Sequence, residues 1–260
     1  MKKLVRQILN SRLGLKLRDI TNFYPPLFSY QYQEQFLSSD LFIWRTDKNL
    51  ETIFKASDIL NKFYNIKSKL FFNFFSSDGE FILSKELEFE NGISELIINE
   101  NFLGVAGYGT FCVFNIPIEK HSELLKVTNR CYIGYGRNKA FSMVHGNLNA
   151  LMVKDPYVSL DDLINHIKPA ITSRKSNFEY HIQKKPSTNT TVSYYFANPL
   201  DRIINININN KFLSIKPLGC GFITFEKIFS SKPHIIKSDF CFARPILINE
   251  TKGFLDCHHG

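Results

Sequence analysis

The sequence predicts a mostly β protein: two tandem antiparallel β-sandwich-like units with a short helical connector and an N-terminal amphipathic helix. Three observations point there. The chain carries 25 Phe and 11 Tyr beside a single Trp, and aromatic side chains suit a pleated, half-buried surface. Its apolar runs are short and closed by turn residues such as Ser76-Ser77-Asp78-Gly79, the pattern of a sandwich or barrel. The segment Ile203-Ile204-Asn205-Ile206-Asn207-Ile208-Asn209 alternates strictly, so one face of that strand is apolar and the other wet.

Residues 1–39 read as a basic helix and a Pro-containing lead-in. Leu4, Val5, Ile8 and Leu9 fall on one helical face, with Lys2, Lys3, Arg6 and Arg12 towards the other. Such a helix either lies on an anionic membrane surface through residues 2–18 or packs on protein. Tyr24-Pro25-Pro26 then breaks it.

Residues 40–150 form the first unit. Strands are expected over 40–46, 51–56, 67–75, 80–87, 95–99 and 108–116, followed by two more over 131–136 and 141–146. The stretch 56–64 fits strand or helical turn, and 119–127 fits a short helix or a loop. Residues 151–187 are a connector. There Ser159 offers an N-cap, Leu160, Leu163, Ile164 and Ile167 form an apolar stripe, and Pro169 supplies a stop. This predicts a helix to about residue 168, followed by a basic polar linker. Residues 188–260 form the second unit, with strands over 190–196, 202–209, 211–216, 221–229 and 239–248. The halves also correspond faintly: Leu41 to Arg45 matches Ser193 to Phe196, and Gly109 to Phe114 matches Gly221 to Phe225.

Composition narrows the function classes. With 44% hydrophobic and 22% charged residues the chain is too apolar to be disordered. The net charge of +8 is spread out rather than interleaved with aromatics on one element. That argues against nucleic acid and fits an anionic lipid surface or an acidic glycan. Five cysteines show no CxxC spacing, no leader pattern opens the chain, and no apolar run reaches membrane-spanning length. The expected location is a reducing cytoplasm, with attachment at the inner membrane surface through the basic helix.

The most informative stretch is Cys131-Tyr132-Ile133-Gly134-Tyr135-Gly136-Arg137, followed by Phe141 to Asn147. Glycines beside hydrogen-bonding side chains let another group approach. Tyr132, Tyr135, Arg137, His145 and Asn147, joined by Arg244, are the candidate ligand-binding residues. Aromatic faces and planar polar groups together suit a carbohydrate. A second candidate is a divalent transition metal, Zn or Fe, on His145, Asp256, His258 and His259, since imidazole and carboxylate are usual ligands. Neighbouring strand residues face opposite ways, so only one of His258 and His259 can join His145. Cys131 with His145 is a weaker nucleophile pair. Gly104 to Gly109 lacks the Lys and helix context of a phosphate loop.

The leading expectation is recognition of a glycan or glycan precursor, as part of bacterial surface-polysaccharide biosynthesis at the inner membrane. The alternatives are a metal-dependent β-fold hydrolase or isomerase using His145 with His258 or Asp256, and a structural assembly or virion component. A homo-oligomer is compatible with each.

Overall fold

A computed structural model describes residues 20, 27–28, 37–120, 131–146, 150–153, 159–172, 177–183, 189–226, 232–241, 243–251 and 254–260. The basic N-terminal helix, the stretch 121–127 and Asn147 lie outside these residues.

Among the described residues, sixteen strands make four antiparallel four-stranded sheets. In the first half they are β1 (Leu41–Arg45), β2 (Glu51–Ser57), β3 (Ser68–Ser76), β4 (Phe81–Leu87), β5 (Ile93–Ile98), β6 (Tyr108–Pro117), β7 (Tyr132–Arg137) and β8 (Ala140–His145). In the second they are β9 (Phe178–Ile182), β10 (Thr191–Ala197), β11 (Ile204–Ile208) and β12 (Lys211–Ile215). β13 (Cys220–Phe225), β14 (His234–Ser238), β15 (Ile246–Thr251) and β16 (Phe254–His259) complete that half. Blade 1 has the order β1-β6-β3-β4 and blade 2 the order β8-β7-β2-β5. Blade 3 is β9-β14-β11-β12, and blade 4, read from its last strand, is β16-β15-β10-β13.

Adding eight to each strand of blades 1 and 2 therefore generates blades 3 and 4. The register repeats as well. His145 pairs with Tyr132 and Ala140 with Arg137, just as His259 pairs with Ile246 and Phe254 with Thr251. The topology is thus repeated internally, but not in the alignment that the sequence suggests. β1 corresponds to β9 rather than to the strand at 193–196, and β6 to β14 rather than to the strand at 221–225. The aromatic resemblance of those strands follows from their shared burial.

The blades are set in a propeller-like ring, not as two tandem sandwiches. Two sandwiches would each seal a core of their own. Here the largest core joins Phe72 and Phe111 of blade 1, Phe54, Ile133 and Tyr135 of blade 2, and Tyr195, Ile248 and Cys257 of blade 4. Blade 4 turns its other face, with Tyr194 and Leu247, onto Ile204, Ile206 and Ile236 of blade 3. Phe111 anchors the first core, 5.2 Å from Phe42, 5.3 Å from Phe74 and 5.9 Å from Phe54 between ring centroids. Each such buried ring contributes roughly 1.5–3 kcal/mol. The outer face of blade 1 packs Phe71, Phe75 and Phe114 against Leu151, Val153 and Leu163. Leu151 and Val153 belong to a small sheet of Leu37–Ser39, Leu151–Val153 and Ile167–Pro169.

One open stretch is decided and three expectations change, among them the strand expected over 239–248, which begins only at Ile246, with His234–Ser238 a separate strand. Residues 59–64 form a helix, α1 (Ile59–Tyr64), because the Asp58 carboxylate caps the Asn61 N–H. The connector helix α3 (Leu160–Leu163), which follows α2 (Glu100–Leu103), is only one turn. A 3-10 turn and the strand Ile167–Pro169 follow it, because pairing with Leu151–Val153 captures the segment expected to continue as helix. Within the predicted polar linker, 178–182 is instead strand β9, paired with β14. The alternating segment behaves as read: Ile204, Ile206 and Ile208 are buried while Asn205 faces water. Among the described residues no helix is long and apolar enough to cross a membrane.

Candidate functional site

The outer face of blade 2 follows from register. Glu95 lies opposite Lys55, Lys55 opposite Tyr132, and Tyr132 opposite His145. These four form one row across the sheet. Because side chains alternate, the row points away from the Phe-rich core that takes Phe54, Ile133 and Tyr135. Tyr132 is 56% exposed. Lys55 and Glu95 form an ion pair at 2.7 Å. The next row on this face is Ile97, Ile53, Gly134 and Met143. A Cβ on Gly134 would lie 2.2 Å from the Met143 sulfur and 2.9 Å from Ile53 Cγ2, so the missing side chain lets those two close over the strand. The result is an open sheet face with a tyrosine ring beside a low apolar floor and a Glu, a Lys and a His in line.

Blades 2 and 4 meet along the edge strands β8 and β16. Ser142 Oγ lies 3.3 Å from Asp256 Oδ1 and accepts the Cys257 N–H at 2.9 Å, and Cys257 Sγ donates to the Ser142 carbonyl at 2.9 Å. Three residues further along both strands, His259 Nε2 donates to the His145 carbonyl at 2.8 Å. The His145 and His259 rings are 4.7 Å apart. His145 Nδ1 is 2.7 Å from the Gly146 carbonyl and donates to it. His259 Nδ1 is buried and has no hydrogen-bond partner among the described residues. Burial first, then the Arg244 charge, hold the His259 pKa down to about 4, so the ring is neutral at pH 7. Arg244 is exposed, and its Nε donates to the Gly260 carbonyl at 2.7 Å.

The residues singled out by sequence divide between these places and the core. Tyr132 and His145 share the open face. Tyr135 does not: it is fully buried, its hydroxyl donates to the Ile43 carbonyl at 2.7 Å, and burial raises its pKa well above that of a free phenol. Tyr132 and Tyr135 are three residues apart in a strand, so they must face opposite ways. Arg137 is at the hairpin end, where Nε donates to the Lys48 carbonyl at 3.1 Å. Arg244 belongs to the seam. The expected convergence of Tyr135 with Arg137 and His145 is thus corrected.

The glycines also have internal explanations. A Cβ on Gly146 would sit 1.7 Å from Asp40 Oδ2, and one on Gly136 1.9 Å from the Ala140 carbonyl oxygen. They admit neighbours from the same chain.

Of the four candidate metal ligands, His145 and His259 come together. His258 lies on the other side of β16, its Nδ1 3.4 Å from Asp256 Oδ2, which also accepts from Asn249 Nδ2 at 3.2 Å. Among the described residues no group of three or more His, Cys, Asp or Glu is placed to hold a metal ion. The Cys131 thiol is buried and desolvation raises its pKa, the reverse of an activated nucleophile.

Lys55 and Glu95 were not singled out by sequence. Only register could have found them, and register needs the partner strands. Arg45, at the end of β1, pairs two carboxylates. Its Nε and Nη2 bond Asp47 at 2.9 and 2.8 Å, and its Nη1 bonds Glu250 of blade 4 at 2.9 Å. The guanidinium lies 5.0 Å from the centre of the Tyr195 ring. It fastens the halves together.

No family model matches the chain, and no curated protein matches it either. Among solved structures, the crystal structure of the CupB6 tip adhesin from Pseudomonas aeruginosa aligns over 91% of this chain and 90% of that one, at 8% identity and a TM-score of 0.18. A likeness so slight carries no argument about fold or function.

Proposed function

We propose that the protein is a binding module that recognises a glycan or glycan precursor on the open face of blade 2. The observation that supports this reading is the row Glu95, Lys55, Tyr132 and His145 beside the Gly134 floor. A sugar ring offers a C–H face to an aromatic ring and hydroxyls to flanking polar groups. Tyr132 supplies the ring, while His145 and the Lys55–Glu95 pair supply donors and acceptors within one cross-strand row. The site is shallow and exposed, which suits reversible recognition of a repeating polymer rather than enclosure of a reacting centre. The net charge of +8 favours a partner with acidic groups and supports a place in surface-polysaccharide biosynthesis next to an anionic membrane.

The test is binding of the purified chain to a saccharide array, repeated with Tyr132→Ala. Retained folding with binding weakened by about tenfold supports the reading, given the 0.5–1.5 kcal/mol typical of one aromatic contact. Absence of binding to every saccharide, or binding that Tyr132→Ala leaves intact, rejects it.

A further inference from the structure

On the open face of blade 2, β8 sets an apolar and a polar side chain next to each other. Met143 and His145 are two residues apart, so they point the same way with backbones about 7 Å from one another. Both are exposed, Met143 at 38%. They lie opposite Gly134 and Tyr132 of the neighbouring strand. The Met143 sulfur covers the space that a side chain on Gly134 would fill, and Ile97, 41% exposed, continues this apolar row beyond Ile53. His145 Nδ1 donates to the Gly146 carbonyl. In the neutral ring Nε2 is therefore an acceptor, and no hydrogen bond to it is made among the described residues. Beside the Tyr132 ring there is thus an acceptor, and next to that acceptor along the strand an accessible apolar surface.

We infer that the saccharide unit on Tyr132 is a 2-acetamido sugar, its N–H donating to His145 Nε2 and its methyl resting on Met143 over Gly134. The inference rests on the glycan reading and specifies its substrate class. An acetamido group carries a donor and a methyl at opposite ends of one flat unit, the order in which β8 presents His145 and Met143. A hydroxyl in its place would meet the acceptor but leave the apolar row wet. A deoxy sugar's methyl would cover the row but leave the acceptor unused. The two charges of the polar row cancel in the Lys55–Glu95 ion pair, so this face suits a neutral unit. The net charge of the chain acts at longer range, on the rest of the polymer.

The experiment titrates glucose, glucosamine, N-acetylglucosamine and the 6-deoxy sugar fucose into the full chain, followed by NMR of the methionine methyl and histidine ring resonances. It is repeated in Met143→Ser, Met143→Leu, His145→Phe and Tyr132→Ala. The expected result is that N-acetylglucosamine binds about tenfold more tightly than glucose, the yield of one buried methyl and one hydrogen bond. It should also move the Met143 methyl resonance. Met143→Ser and His145→Phe should each cut the preference to about threefold, Met143→Leu should keep it, and Tyr132→Ala should weaken every sugar. Glucosamine, which lacks the methyl, should gain nothing over glucose. Equal binding of glucose and N-acetylglucosamine overturns the inference but leaves the glycan reading standing. Fucose binding as tightly as N-acetylglucosamine overturns it as well, since a methyl alone would then be recognised. If no sugar binds, the glycan reading falls and the inference with it.

Discussion

His145 and His259 occupy the same position in the two repeats, and their rings stand 4.7 Å apart across the seam between blades 2 and 4. Each ends the second strand of an equivalent hairpin and is followed by a glycine. β8 and β16 run side by side in the same direction: the Ser142–Asp256 and His145–His259 contacts are both 114 residues apart. The repeated topology sets one position of the pattern against itself.

Stability should fall in acid through His259. Its folded pKa of about 4 is below the ordinary 6.5, so the folded chain resists protonation. The contribution is whole above pH 6.5 and is lost as pH drops towards 4. The ring is half exposed, so the loss is discounted to about 1–2 kcal/mol. Urea denaturation at pH 7 and pH 4 should show this difference, and His259→Gln should flatten it. An unchanged pH slope in that variant would assign the acid sensitivity elsewhere.

Arg45→Met should cost about 3 kcal/mol, because it strands Asp47 and Glu250 at the junction of the halves. Arg45→Lys should recover only part of this, since an ammonium cannot reproduce the fork that spans both carboxylates. Denaturant midpoints measure both changes. A variant as stable as the parent would mean that the clamp does not hold the repeats together.

Two glycines should respond oppositely to alanine. At Gly146 the new methyl would fall 1.7 Å from the Asp40 carboxylate, which the buried surroundings prevent from moving away. A loss of about 2–3 kcal/mol is expected. At Gly134 the nearest atom is the Met143 sulfur on a flexible, partly exposed side chain, and the cost should stay near 1 kcal/mol or below. Thermal melts of the pair compare the two directly.

The two tyrosines of β7 separate stability from binding. Tyr135→Phe leaves the Ile43 carbonyl without its donor and should lower stability by about 1–2 kcal/mol, with saccharide binding intact. Tyr132→Ala should do the reverse. If both changed stability alone, the open face of blade 2 would have no ligand role.

Much of the local order was legible in the chain. The hairpin at Ser76 to Gly79, the alternating strand at 204–208 and most strand positions follow from period and turn residues, which act over a few neighbours. The helix expected to 168 gives way to a strand at its end, because its apolar stripe also suits a strand once Leu151–Val153 is there to pair with it. Tyr132 and Tyr135 cannot share one site, because the period of two sends them to opposite faces of the strand.

By itself, then, the sequence determined a β-rich chain of short strands, the turns that close them, and a central segment rich in polar and aromatic side chains. Tertiary structure alone decided which strands pair, that blades 1, 2 and 4 share the largest core while blade 3 packs on the other face of blade 4, and that His259 is the histidine that meets His145. The reason is range. Turn chemistry and side-chain alternation are properties of adjacent residues, whereas the Arg45–Glu250 and His145–His259 contacts join residues 205 and 114 positions apart, and only packing brings them within reach.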